Sequence, residues 1–284
     1  MPRLSPQLPE QVRRIESMGF SSVSISDHFT DGWEMDPLVA MAVATDATTT
    51  LRVLSLVLAV DYRHPVQVHK ALATLDVVSG GRVEIGLGAG WKRSEYDAAG
   101  IEFLPFDQRL EKLEEAVRVL RGLFGDEPVE HDGPHFHVHL DGLPKPVQRP
   151  APPILLGGYG DRTLALAARI ADIVGVFPRA DARSFDDKLA LVRATASAAG
   201  RDPEIQMTAL GIHLTDVAPT GWRSSLLTPE LAQQLDGTPA MLVGTLDECE
   251  QRVLEARERW GITYLNLGGP PEAVAPLVER LAGR

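Results

Sequence analysis

Residues 51–87 read LRVLSLVLAVDYRHPVQVHKALATLDVVSGGRVEIGL. Leu51–Val60 is nearly all apolar, interrupted only by Arg52 and Ser55, as expected of a strand covered on both faces. Val66–Val78 sets Val68, Ala71, Leu72, Leu75 and Val78 at helical spacing and stops at Gly80-Gly81. Val83–Leu87 is a second strand of the buried type. Strand, helix and strand in this order form a βαβ unit, which needs a parallel sheet with helical cover.

The same alternation continues outward. Toward the N-terminus, Gln11–Met18 forms a short helix stopped by Gly19, Ser22–Ser26 alternates Val23 and Ile25 as a strand, and Asp36–Thr48 is an alanine-rich helix. Toward the C-terminus, Asp107 is a candidate N-cap for a helix that aligns Leu110, Leu113, Val117, Leu120 and Phe124. Further strands are expected at Ile154–Leu156, Ile173–Phe177, Ile205–Leu214 and Tyr264–Leu267. Helices are expected near Arg162–Ala171, Phe185–Ala199, Pro229–Gly237, Thr245–Trp260 and Pro270–Leu281. Thr245 and Glu248 have the spacing of a capping box. Residues 126–152 change texture to Gly, Pro and His, with alternation around His135–Leu140, and read as an insertion carrying a hairpin or extended loop.

About seven such repeats in 284 residues fit a single-domain TIM (β/α)8 barrel over 1–284. A doubly wound sheet would open on a strand–GxGxxG–helix, and none is present. The first strand is degenerate: Met1–Pro9 holds three prolines and little β pattern, so it is either an irregular strand or an opening in the barrel.

The chain carries 28 Lys and Arg against 39 Asp and Glu, a net charge of −11. That balance disfavours a nucleic-acid partner, whose affinity comes from neutralising phosphates. No apolar run approaches the roughly 20 residues that span a bilayer, and no basic segment leads into an apolar one at the start. Cys249 is the only cysteine, which leaves no internal disulfide or CxxC metal site. The expected setting is the cytoplasm, with a small-molecule substrate and no membrane partner.

In a barrel of this kind chemistry sits where strands end. After Ser26 come Asp27-His28-Phe29, and after Val60 come Asp61-Tyr62-Arg63-His64-Pro65. Gly86-Leu-Gly88-Ala89-Gly90-Trp91 and Gly157-Gly158-Tyr159-Gly160-Asp161-Arg162 end two more strands. The last is either a phosphate loop, with glycines and a helix start facing an anion, or a tight turn. Gly86–Gly90 is likewise a close approach to a planar ligand or a turn. His28 is a proton donor oriented by Asp27, or a structural histidine. Trp33 and Trp91 wall a pocket or belong to a core. His135, His137 and His139 share one strand face, but no carboxylate or cysteine falls at a matching spacing, so exposed hairpin positions are favoured over a metal site.

Taken in order, Ser26-Asp-His-Phe29, Arg63-His-Pro65, Ala73-Thr-Leu-Asp76 with Ser79-Gly-Gly-Arg82, Gly86-Leu-Gly-Ala-Gly-Trp91 and Gly157-Gly-Tyr-Gly160 closely resemble the luciferase-like flavin and deazaflavin oxidoreductase superfamily. The branch most similar depends on coenzyme F420, an 8-hydroxy-5-deazaflavin. The resemblance spans Gln11 to the C-terminus. It implies a coenzyme at the barrel mouth, with its tail phosphate held by Gly157, Gly158, Tyr159, Gly160 and Arg162. It also implies a bulged strand with a non-proline cis bond at Leu56–Val57, with Ala59 facing the ring, and ring contacts from Gly88, Ala89 and Gly90. By the same resemblance His28 lies near the reactive edge, with Trp33, Tyr62, Trp91 and Phe177 on the substrate side. Sugar-phosphate dehydrogenases of the superfamily place a catalytic Glu where Trp91 stands here, so that reaction is disfavoured.

These readings lead to a reductase that transfers hydride from reduced F420 to an activated C=C or C=N bond, with His28 and Asp27 as the catalytic pair. The alternatives are an FMN-dependent monooxygenase and a non-catalytic cofactor-binding barrel. The resemblance further implies a homodimer.

Overall fold

The computed structural model describes residues 7–30, 35–178, 184–217 and 220–282. They divide into two compact units: residues 7–13 with Ser22–Leu156, and Arg14–Ser21 with residues 157–282.

The first unit begins in α1 (Leu8–Ser17), whose Leu8 and Val12 are buried. It then runs through β1 (Ser22–Ile25), α2 (Pro37–Ala47), β2 (Arg52–Ser55), β3 (Leu58–Ala59), α3 (Pro65–Ser79) and β4 (Val83–Gly88). After these come α4 (Arg93–Ala99), α5 (Phe106–Phe124), β5 (Val129–Asp132), β6 (His137–Leu140) and the first part of β7 (Ile154–Gly158). The parallel order is β1-β2-β4-β7, with β3 also on β4. Register is fixed by Ile25↔Ser55, Val53↔Val83, Leu58↔Leu87 and Ile85↔Ile154. All six residues of β4 are buried, which is why its sequence reads as a continuous run rather than an alternation.

Local chemistry sets the ends of these elements. Asp36 caps α2 by accepting the N–H groups of Leu38 and Val39 at 2.9 and 3.0 Å, and Pro37 supplies a preset helical φ. Gly80 ends α3 in the left-handed region at φ 69°, which a side chain would resist. The apolar run Leu51–Val60 is two strands rather than one. The Leu56–Val57 peptide between them is cis, where the family resemblance placed such a bond. Asp107 is not an N-cap: α5 begins one residue earlier, after Pro105, and Asp107 lies in the first turn, where its charge still complements the helix dipole.

The second unit takes up the two glycines that end β7 and continues through α6 (Asp161–Ile170), β8 (Ile173–Val176), α7 (Phe185–Ala198) and β9 (Glu204–Thr208). Then come β10 (Gly211–Leu214), β11 (Trp222–Arg223), α8 (Pro229–Gln234), β12 (Met241–Gly244), α9 (Leu246–Trp260), β13 (Ile262–Asn266) and α10 (Pro271–Leu281). Its main-sheet order is β7-β8-β9-β13. The Thr245–Glu248 capping box is present in full at the start of α9.

The expected single strand Ile205–Leu214 is instead β9 and β10, in different sheets. β9 pairs with β8 and β13, whereas β10 pairs in parallel with β12 and antiparallel with β11. The switch occupies one peptide: Ala209 N–H reaches Asn266 O at 2.9 Å, and Leu210 N–H reaches Ala240 O at 2.8 Å. The small sheet shares a core with α9 and α10, built from Ala209, Ile212, Leu214, Leu242, Cys249, Val274 and Leu277. Residues 222–234 contribute β11 and α8. Trp222 lies on Gly268, where a Cβ would come within 2.1 Å of its ring.

Residues 1–6 of the expected first strand lie outside the described residues, and Leu8 and Pro9 already belong to α1. Among the described residues no strand precedes β1, and no helix is long and apolar enough to cross a membrane.

Candidate functional site

In the first unit the ends of β1, β3 and β4 bring several polar side chains together. β1 runs into Ser26-Asp27-His28-Phe29-Thr30. β4 runs through Ala89-Gly90-Trp91 into α4, which carries Glu95. The Glu95 side chain is fully buried. It accepts from His28 Nδ1 at 2.8 Å, Thr30 Oγ1 at 2.8 Å and Lys92 Nζ at 3.2 Å. Burial works to raise its pKa, but the bonds from His28 and Thr30 and the nearby charge outweigh it and hold the carboxyl below its ordinary value. An ionised Glu95 accepts the hydrogen bond of His28 Nδ1–H and so fixes the ring's orientation and the site of that proton.

Glu95 is the site residue that sequence reading missed. A carboxylate in a seven-residue helix reads as a solvated charge, and only its position four residues past Trp91 connects it to the glycine turn.

Asp27 does not orient His28. Its Oδ2 accepts from Arg63 Nη1 at 2.6 Å and from Ala59 N–H at 3.3 Å. Burial raises the Asp27 carboxyl above its ordinary value, with the Arg63 bond and charge opposing. The reason is geometric: Asp27 is held by Arg63 of the β3–α3 segment and by Ala59 N–H, and the imidazole is held by Glu95 of α4.

Tyr62 tilts against Phe29, with ring centroids 4.5 Å apart, and against Tyr96 at 5.1 Å. Burial, Glu95, Asp27 and Asp61 all raise its hydroxyl pKa, so it remains a donor. Trp91 is 55% exposed and Phe29 49% exposed, and Trp91 meets the His28 ring edge-on at 5.8 Å. Exposed aromatics beside a buried polar group are a frequent mark of a ligand face. Trp33 lies outside the described residues.

Behind this cluster is the bulge. Leu56 and Val57 are half-exposed while Val53–Ser55 and Leu58–Val60 are buried, so the cis peptide presents two apolar side chains that could wall a flat ring. Ser26 Oγ donates to Leu56 O at 3.1 Å, and Ala59 pairs with Gly88. Two glycines of the next strand end are accounted for by internal packing. A Cβ on Gly86 would come within 1.9 Å of Ser55 O, and Gly90 has φ 73° with the Tyr96 hydroxyl 1.8 Å from where its Cβ would be. Arg109 Nη1 donates to Ala89 O at 2.8 Å and to Gly90 O at 2.5 Å, fixing that turn on α5.

The insertion is the expected hairpin. The buried Glu115 of α5 binds its tip, accepting from His131 Nε2 at 2.9 Å, His135 N–H at 3.1 Å and Phe136 N–H at 2.8 Å. His137 and His139 are exposed on the outer face beside Asp132 and Glu130. Among the described residues no cluster of His, Cys, Asp and Glu is arranged to hold a metal ion.

In the second unit Gly157–Gly160 leads into α6. Gly160 is the N-cap with no side-chain cap, and a Cβ there would meet open space. A helix start whose N-cap carries no side chain, with Arg162 in its first turn, is of the kind that suits a phosphate, although Asp161 adds an opposing charge. Gly158 is constrained differently, since a Cβ would come within 2.4 Å of Thr163 Cγ2. Tyr159 O accepts from Lys188 Nζ at 2.5 Å, and half-buried Phe177 donates its N–H to Gly158 O at 2.8 Å.

Comparison with known proteins agrees with this architecture. A monooxygenase, RslO1, from Streptomyces bottropensis superposes with TM-score 0.77 at 24% identity, covering 97% of this chain and 91% of its own. The fold is therefore the luciferase-like TIM-barrel fold, with seven parallel strands along the path β1-β2-β4-β7-β8-β9-β13. The F420-dependent hydroxymycolic acid dehydrogenase of Mycobacterium tuberculosis is 34% identical over 207 residues, 69% of this chain and 55% of that protein. The FMNH2-dependent dimethylsulfone monooxygenase of Pseudomonas putida is 30% identical over 162 residues, 55% of this chain and 44% of that protein. The chain thus spans about half the length of these curated relatives. The family model for luciferase-like monooxygenases matches residues 5–216, and the chain belongs to that family.

Proposed function

We propose that the chain is an F420-dependent oxidoreductase, a reductase acting on an activated C=C or C=N bond of a small organic or natural-product substrate. The observation that carries this reading is the His28–Glu95 pair, held at 2.8 Å beside the half-exposed Leu56–Val57 bulge. A buried carboxylate that orients an imidazole is an arrangement suited to general acid–base work. Reduced F420, when bound, supplies the hydride. The imidazolium form of His28, held through Nδ1–H by Glu95, would supply the proton that completes the reduction and be reprotonated from solvent. Leu56 and Val57 bound the ring face, and Phe29, Tyr62 and Trp91 offer an aromatic surface to the substrate and limit water. As a separate proposal, the α6 start with Gly160 and Arg162 takes the coenzyme phosphate. Similarity to an F420-dependent dehydrogenase over 69% of the chain supports the choice of coenzyme.

The second reading, an FMN-dependent monooxygenase, is favoured by the 30% identity to the dimethylsulfone enzyme. Titrating F420 and FMN separately while following tryptophan fluorescence distinguishes the two. The expected result is quenching by F420, followed by reoxidation of reduced F420 in the presence of enones or imines. Tight FMN binding without F420 binding transfers the assignment to the monooxygenase. No binding of either coenzyme removes the oxidoreductase reading altogether.

A further inference from the structure

The loop that carries His28 leaves β1 at Asp27 and reaches α2 at Asp36. Both ends meet one guanidinium: Arg63 Nη1 lies 2.6 Å from Asp27 Oδ2, and Nη2 lies 2.7 Å from Asp36 Oδ2. The Arg63 side chain is 19% exposed and that of Asp27 is 2% exposed, so the inner half of this clasp is shielded from solvent. The same Asp27 oxygen accepts Ala59 N–H from β3. Among the described residues of the loop, His28 and Thr30 are bonded to Glu95.

We infer that Arg63 is a positioning residue. Its two nitrogens close the His28 loop at its base and, through Asp27 and Ala59, register the loop against the bulged strand, so that the imidazole and the apolar wall beside it keep a fixed relation. A planar fork can hold two carboxylates at once, and a lysine ammonium on a flexible stem cannot reproduce that geometry. Asp36 has a second duty as N-cap through Oδ1, and Asn performs that duty equally well. Asp36→Asn therefore opens the outer half of the clasp while leaving α2 capped.

The inference rests on the proposed role of His28 only for its kinetic consequence, so the test begins without a coenzyme. The rate of diethylpyrocarbonate modification is mapped by mass spectrometry at His28 and at exposed His137 in wild type, Asp36→Asn and Arg63→Lys. Amide hydrogen exchange is followed over residues 22–37. The expected result is several-fold faster modification of His28 in both variants, unchanged His137 and faster exchange confined to the loop. Turnover should then fall at least tenfold while coenzyme stoichiometry and affinity hold within about twofold. Unchanged His28 reactivity and exchange in both variants would overturn the clasp. A loosened loop with full turnover would overturn its positioning role. If wild type itself shows no turnover, the proposed function fails and the modification and exchange data alone decide the clasp.

Discussion

Glu95 accepts the Nδ1–H of His28 at 2.8 Å across 67 residues of sequence. The pair is assembled because β1 and β4 end near one another in a parallel sheet and α4 turns back over the gap. His28→Ala should lower turnover by about 10²–10⁴, the range of a general acid, while coenzyme affinity changes little. Steady-state kinetics beside a fluorescence titration checks this, and equal turnover in mutant and wild type would remove the acid role.

Glu95→Gln makes a sharper test of orientation. The amide keeps the shape but no longer favours a proton on Nδ1. Turnover should fall by roughly 10- to 100-fold, in line with the loss of a partner that orients an imidazole, with the protein still folded. Circular dichroism in parallel separates loss of activity from loss of fold. Because the native pKa of Glu95 is lowered, its contribution to stability is present above its unfolded pKa and is lost as the solution is acidified. Glu95→Gln should therefore also flatten part of the acid limb of stability.

Gly90→Ala should destabilise the first unit by about 2–4 kcal/mol, because a non-glycine residue at positive φ is strained and the added carbon meets a buried neighbour. That neighbour is the Tyr96 hydroxyl. Adding Tyr96→Phe should recover part of the loss but not the backbone share. Urea melts of the two single variants and the double variant measure the coupling.

His69 of α3 is almost wholly buried, packs 5.1 Å from Phe124 and leaves Nε2 without a hydrogen-bond partner. Burial, aided by Lys145 and Lys70, lowers its pKa to about 4. An unfolded chain titrates histidine near 6.5, so on acidification the unfolded state binds the proton first. The stability due to neutral His69 is fully present above about pH 6.5 and is lost as pH falls toward 4, amounting to on the order of 3 kcal/mol. His69→Gln, which does not titrate, should flatten the stability profile in that window. An unchanged profile would refute the assignment.

Glu115→Ala should release the β5–β6 hairpin, since three donors in or near the hairpin lose their acceptor. Stranded donors cost about 1–3 kcal/mol. Limited proteolysis within 126–142 should become faster while the remainder of the chain stays protected.

Much of the fold was legible because hydrophobic period and end signals agree. The run Leu51–Leu87 announces β, then helix, then β, although its first apolar stretch is divided at Leu56–Val57, and the Thr245–Glu248 box marks its helix to the residue. What escaped depends on contacts distant in sequence. Ala209-Leu210 continues an apolar run, so nothing local marks where β9 ends, and the decision is made by Asn266 and Ala240. Asp27 adjoins His28 in sequence and looked like its partner, but Arg63 claims its carboxylate. Glu95 could not be seen because burial of a charge is decided by the donors that converge on it, and two of those, His28 and Thr30, lie more than 60 residues away on the loop after β1.

β9 pairs in parallel with β13, with one register shift between Ile262 and Tyr264, although residues 209–261 separate them. A detour that leaves a sheet and rejoins it at the adjacent position carries no pairing information for the strands on either side. Its outer stretch, between β10 and β12, is therefore free to lengthen or shorten over generations while the layers beneath stay aligned. Length variation in the fold should collect there, where new loops can be tried without altering the strands that carry the glycine turn.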